Sequence, residues 1–167
     1  MADSRELIAA LAAMGMTVAV AESLTGGLLV AELIRPAGAS TVVNGGVVAY
    51  STELKRTLLG VDAALLADVG PVHPDVAIQL ARNVRDRLAV GGHPADIGVA
   101  TTGVAGPDPV DGLRPGTVYL GLSFGDVTRA RHLVLTGHRD EIRAKTVAGA
   151  LEWMWETLER GLANFGE

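Results

Sequence analysis

The sequence contains no cysteine. That removes disulfides, thiolate chemistry and cysteine-ligated metals at once. Aromatic residues make up 4% of the 167 positions, so a hydrophobic core has to be assembled from Ala, Val, Leu and Ile. Positive charge is scarce: 14 Lys and Arg stand against 19 Asp and Glu, a formal net charge of −5. Duplex-binding proteins present a basic face, so no nucleic-acid partner is expected. A phosphorylated small molecule stays open, because it needs only a locally positive pocket. No uninterrupted apolar run reaches the roughly 18 residues of a membrane span. Asp3, Arg5 and Glu6 precede the first apolar run, unlike a signal peptide. The expectation is a cytoplasmic protein with no membrane partner.

What is present is a chain that is 49% hydrophobic and 20% charged, with 21 glycines gathered in a few places. Clustered glycine indicates tight loops rather than low complexity. The length suits one compact domain spanning 1–167, with no repeat and no linker. Asp3 and Glu6 have capping-box spacing ahead of Leu7, Ile8, Leu11 and Met14, which predicts a helix stopped by Gly15. Residues 17–21 (TVAVA) read as a buried strand, followed by a Gly-containing turn and a helix that Pro36 ends. Residues 42–50 are strand-like but hold a Gly pair, the mark of a bulge or a close backbone approach. Helices are predicted over 51–59, 62–69 and 74–89, and a second buried strand over 95–101. A long Gly/Pro/Asp loop covers 102–115. A hairpin turns at Gly125-Asp126, and a final helix runs over 138–158. This alternation predicts a three-layer α/β/α sandwich with a mixed, mostly parallel sheet and one antiparallel strand. Trp153 and Trp155 cannot share one helix face, so one of them is expected to seek a partner surface. That predicts a homo-oligomer, a dimer or larger.

Several familiar site patterns are missing. The four histidines, at 73, 93, 132 and 138, have no H-E-x-x-H spacing, so no metal is expected. There is no P-loop and no G-x-G-x-x-G after a strand. Ser23 is preceded by Glu22 rather than framed by the G-x-S-x-G elbow, and no serine has a lysine three residues later. Three segments remain. Residues 22–27 (ESLTGG) sit between a strand end and a helix, where ligands bind in open α/β sheets. A helix N-terminus there suits a phosphate or an oxyanion. The plain alternative is that Ser23 and Thr25 only cap the helix. In residues 45–55 (GGVVAYSTELK), Lys55 lies about one turn inside the helix that Ser51 opens. An apolar setting favours the neutral amine, which can act as base toward a serine. The plain alternative is a solvated surface lysine. A carboxylate of Glu22 or Glu53 near Lys55 would oppose its neutral form. Residues 101–108 (TTGVAGPD) enter a Gly-rich loop, either a source of backbone N–H donors for anions or a simple connector.

Taken in order, AESLTGG (21–27), GGVVAYSTELK (45–55), TGVAGP (102–107), PGTVYL (115–120) and GHRDEIR (137–143) resemble the signature blocks of the CinA C-terminal domain family. The resemblance covers about residues 5–160. Many members carry a further N-terminal molybdopterin-binding-like domain, so this chain resembles the stand-alone form. The resemblance implies a three-layer α/β/α fold. It also implies hydrolysis of the amide of nicotinamide mononucleotide, giving nicotinic acid mononucleotide and ammonia without a cofactor. Ser23 matches the family's proposed nucleophile, Lys55 its base, and Tyr50 a tyrosine that assists or positions. Thr102, Gly103 and Arg139 match residues beside the ligand. Glu22, Thr25, Gly26, Gly27, Gly46 and Gly106 complete the expected substrate-contact set, for a nucleotide partner. A catalytically inactive nucleotide-binding module of the same fold is the alternative. Two departures, Pro71-Val72-His73-Pro74 and Pro109, fall where the family tends to have small residues and glycine. They bear on the pocket rim.

Overall fold

The computed structural model describes residues 3–161. Helix α1 (Ser4–Met14) begins where the Asp3 carboxylate accepts the Arg5 N–H, and it ends at Gly15 in the left-handed conformation. The remaining elements, in chain order, are β1 (Val18–Glu22), α2 (Leu28–Ile34), β2 (Val43–Val48), α3 (Thr52–Thr57), α4 (Ala63–Val69), α5 (Pro74–Arg87), β3 (Ile97–Gly103), β4 (Thr117–Phe124), β5 (Val127–Val134) and α6 (Arg139–Glu159), with one short 3-10 turn at Ala39–Thr41. The five strands form one sheet in the order β2-β1-β3-β4-β5. β1 pairs in parallel with β2 and β3, and β4 runs antiparallel to both β3 and β5. One strand therefore opposes the other four, as the alternation of elements predicts. β3 continues past its expected end because Thr102 and Gly103 pair with Tyr119 and Val118 of β4.

The two faces of the sheet differ in side-chain size. Val18, Val20, Ile97, Val99, Val118, Leu120 and Leu122 share one apolar cluster with α1, α2 and α6. The residues between them are small, and Ala19, Ala21 and Ala100 meet Val76, Leu80, Ala81 and Val84 of α5. Gly98 and Gly121 let α5 lie directly on the strands, since an added Cβ would overlap the carbonyl oxygens of Ala81 and Ala77. Strand alternation thus sorts large residues to the three-helix face and small ones to the α5 face.

Both readings of the Gly pair in β2 are realised. The β1–β2 register shifts at Val43/Gly45, and a Cβ on Gly46 would lie 2.8 Å from Cβ of Val30 in α2. Trp153 is buried, with the Arg131 guanidinium 4.7 Å from its ring centroid. Trp155 packs half-buried on the same core cluster, so both indoles find cover within the chain. Among the described residues no helix is long and apolar enough to cross a membrane.

Gly121→Ala is expected to cost about 1–3 kcal/mol through overpacking. At roughly 2–4 °C per kcal/mol for a chain of this size, thermal unfolding should show a drop of several degrees. An unchanged midpoint would mean that α5 can lift off the sheet without penalty.

Candidate active site

In this topology β1 leads through α2 on one face, and β3 is reached through α5 on the other. The crevice at the carboxyl ends of β1 and β3 is therefore the switch point where open α/β sheets bind ligands. Ser23 follows the last residue of β1, and Thr102 and Gly103 end β3. A cleft of about 230 Å³ opens there, somewhat below the roughly 300–1,000 Å³ usual for ligand pockets. It is lined by Ser23, Tyr50, Lys55, Thr102, Gly103, Gly106 and Arg139, and also by Thr52, Pro71, Val72 and Asp108.

At its floor, Lys55 Nζ donates to Ser23 Oγ at 3.0 Å and to the Ala49 carbonyl at 2.7 Å. Lys55 is 1% exposed and Ser23 8%. Lys55 is the one buried residue of α3, while Leu54 and Leu58 of that segment are exposed. This inverts the usual sorting, in which the apolar side of a helix faces inward. Burial pushes the Lys55 amine down from its ordinary 10.5 to about 8. The two carboxylates that would oppose this are engaged elsewhere. Glu53 pairs with Arg56. Glu22 accepts the N–H groups of Gly27, Leu29 and Val30 at 2.9, 3.1 and 2.8 Å. Because the unfolded chain holds this proton up to higher pH, Lys55 opposes folding below pH 8 and ceases to do so as pH rises toward 10.5.

Tyr50 stands 61% exposed at the rim. Its hydroxyl accepts from Arg139 at 3.0 Å, and Arg139 also donates to the Gly106 carbonyl at 2.7 Å. Arg139 thereby ties the two walls of the cleft together. Thr102 Oγ1 donates to the Pro71 carbonyl at 2.7 Å.

Glu22, Thr25, Gly26, Gly27 and Gly46 are not among the residues that line the cleft. The Glu22 carboxylate fills the N-terminus of α2, so that helix end does not offer its first amides to a ligand anion. Thr25 Oγ1 lies 2.8 Å from Thr101 Oγ1, and Thr101 Oγ1 accepts the Ser23 N–H at 3.4 Å. Gly26 N donates to the Ser23 carbonyl at 3.1 Å, and Gly46 lies under Val30. Two participants were not singled out by the sequence: Thr101, and Arg143, which reaches the turn after β1. Their signal was position, beside Thr102 and four residues after Arg139 in an otherwise recognised block. Among the described residues no cluster of His, Asp and Glu could hold a metal ion.

A family model described as the CinA C-terminal domain matches residues 2–158. The chain belongs to the CinA C-terminal domain family. A CinA-like protein of Frankia casuarinae is 45% identical over 148 residues, 89% of this chain and 33% of that protein. A putative competence-damage inducible protein of a Geobacillus species is 49% identical over 131 residues, 78% of this chain and 30% of that protein. The chain thus spans about a third of the length of the curated relatives it matches. Two solved structures match end to end. A CinA superfamily protein from Klebsiella pneumoniae has a TM-score of 0.87 at 31% identity, covering 94% of this chain and 96% of the other. CihA from Agrobacterium tumefaciens has a TM-score of 0.84 at 33% identity, covering 92% of each.

The His73 departure from the CinA pattern has a local explanation. His73 is the N-cap of α5, and its Nδ1 accepts the Asp75 N–H at 3.3 Å. Serine does the same work at least as well. His73→Ser is expected to leave the unfolding midpoint unchanged or raised. His73→Ala should lower stability by about 1 kcal/mol, read by thermal or urea unfolding.

Proposed function

We propose that this chain hydrolyses the carboxamide of nicotinamide mononucleotide to nicotinic acid mononucleotide and ammonia, with Ser23 as nucleophile and Lys55 as general base. The observation that carries this reading is the buried contact of 3.0 Å between Lys55 Nζ and Ser23 Oγ. An amine near 8 in water-poor surroundings is a competent base close to neutral pH. Below that value the same burial costs on the order of 3 kcal/mol in stability, a large share of what holds an ordinary domain together. Strongly perturbed groups in a cleft favour a functional role over a structural accident.

In the proposed reaction, neutral Lys55 takes the Ser23 hydroxyl proton as Oγ bonds to the carboxamide carbon. The Lys55 ammonium then returns that proton to the amide nitrogen, the carbon–nitrogen bond breaks, and ammonia leaves. Water attacks the acyl-serine, Lys55 takes the water's proton, and Ser23 recovers it as the carboxylic acid is released. The Gly26 and Gly27 amides are already committed, as is that of Val104 to the Thr117 carbonyl, so oxyanion donors come from Gly103, Ala105 or Gly106 beside the cleft. Each such donor is worth roughly 3–4 kcal/mol of barrier. With the end of α2 filled, Arg139 is the cation left to meet the ribose phosphate, and Tyr50 orients it. The steps use no metal and no organic cofactor.

An ammonia-release assay with nicotinamide mononucleotide and its non-phosphorylated riboside tests the assignment. A ligand-induced rise in unfolding temperature with no ammonia would reduce the chain to a nucleotide-binding module. Lys55→Arg keeps the charge but stays protonated, and Lys55→Met keeps the apolar stem. Both are expected to lower kcat by at least about 100-fold while calorimetric substrate affinity changes little. Near-normal turnover in Lys55→Arg would sink the general-base role and leave a charge-holding one. The base works when deprotonated, so kcat/KM should climb about tenfold per pH unit below 8 and level above it. A profile flat from pH 6 to 9 would contradict this.

A further inference from the structure

The turn that carries Ser23 is gripped by two charged side chains that lie outside the cleft. On its amide side is Glu22, 1% exposed, accepting three N–H groups from the first turn of α2 at 2.8–3.1 Å. On its carbonyl side is Arg143 of α6. Its Nε donates to the Leu24 carbonyl at 3.0 Å and its second terminal nitrogen to the Thr25 carbonyl at 3.3 Å. The first terminal nitrogen is anchored on Asp140 at 3.2 Å. Gly26 lies against the guanidinium, where an added Cβ would come within 3.3 Å.

Gly26 and Gly27 both have positive φ, 61° and 100°. A glycine pair takes such a path easily but does little to hold it. Here the holding is done by opposite charges: a carboxylate on the N–H groups, where the helix dipole favours it, and a guanidinium on the carbonyls. Glu22 also reaches the other half of the pair through its backbone. Its carbonyl accepts the Ala49 N–H at 2.9 Å, and the Ala49 carbonyl accepts Lys55 Nζ at 2.7 Å.

We propose that Glu22 and Arg143 are positioning residues that hold the Ser23 turn so that its Oγ stays within reach of Lys55 Nζ, without touching substrate. The proposal rests on the serine-nucleophile reading above. It assigns to Glu22 a role other than substrate contact and gives Arg143 a role distinct from that of Arg139, four residues earlier.

The test uses the full chain with Glu22→Gln and Arg143→Lys. The first places an NH2 group against backbone N–H donors; the second replaces a two-pronged grip by a point charge. The readouts are kcat and KM with nicotinamide mononucleotide, the rate at which a fluorophosphonate labels Ser23, the pH profile and the unfolding midpoint. A small displacement of a reacting atom costs up to about 100-fold. Labelling and kcat should therefore fall together by about 10- to 100-fold, with KM within about threefold of wild type. The acid limb near pH 8 should stay in place, because the burial that lowers the Lys55 amine is retained. A raised KM with normal labelling would make either residue a substrate ligand and overturn the proposal. A lowered midpoint with normal kcat and labelling per folded molecule would overturn it too. If Glu22→Gln does not fold, Arg143→Lys decides. Wild-type chain that labels at Ser23 but releases no ammonia overturns only the substrate assignment, and the labelling rates still test the positioning. Wild-type chain that does not label at Ser23 overturns the nucleophile and the positioning together.

Discussion

A lysine amine kept out of water beside a serine hydroxyl is the constraint around which the chain is arranged. Lys55 could not be buried by its own helix, which has six residues and no apolar side turned inward. It is held from outside: the Ala49 carbonyl and Ser23 Oγ take two of its hydrogen-bonding positions. The neighbouring carboxylates would have restored its charge had they faced it. They are instead spent on backbone amides and on Arg56. The electrostatic character of the cleft therefore follows from where its acids point as much as from the lysine.

The sheet supplies the rigid part of this arrangement. α5 lies tightly on a strip of Gly and Ala, while three helices cover the larger residues of the opposite face. That asymmetry fixes β1 and β3 from both sides. Ser23 follows β1 directly and Thr102 lies at the end of β3, so both are anchored to the tightly packed sheet. The rim is built differently. Tyr50 and Gly106 are linked by a single exposed arginine, and the Gly-rich loop continues into residues 107–116. The floor of the cleft is thus held by strand ends and buried contacts, and its rim by exposed side-chain links.

Membership in the CinA C-terminal family accounts for the fold and for the recurrence of the sequence blocks. It does not by itself assign the chemistry, since the curated relatives are about three times the length of this chain and function resides in sites rather than folds.

The sequence by itself determined the elements and the layer order. Local signals were strong: Asp3 and Gly15 bounding the first helix, buried-strand patterns at 17–21 and 95–101, the Gly125-Asp126 turn, and helical periodicity around Val76, Leu80 and Val84. Its ordered blocks also named Ser23, Tyr50, Lys55, Thr102, Gly103, Gly106 and Arg139, which line the cleft, and Glu22, Thr25, Gly26, Gly27 and Gly46, which do not. What it could not settle was direction. Helical spacing favoured a solvated surface position for Lys55, and only the folded chain turns it inward, onto Ser23 Oγ and the Ala49 carbonyl. Glu22 is expected at the substrate as a member of the ESLTGG block. In a strand, however, successive side chains point to opposite faces, and the face Glu22 occupies is the one covered by α2. Arg143 was silent for a related reason. Its partners are backbone carbonyls 118 and 119 residues away, and a carbonyl has no sequence signature. Identity and order of the chemical groups were written locally, while their orientation depended on contacts between distant elements, which only the folded chain brings together.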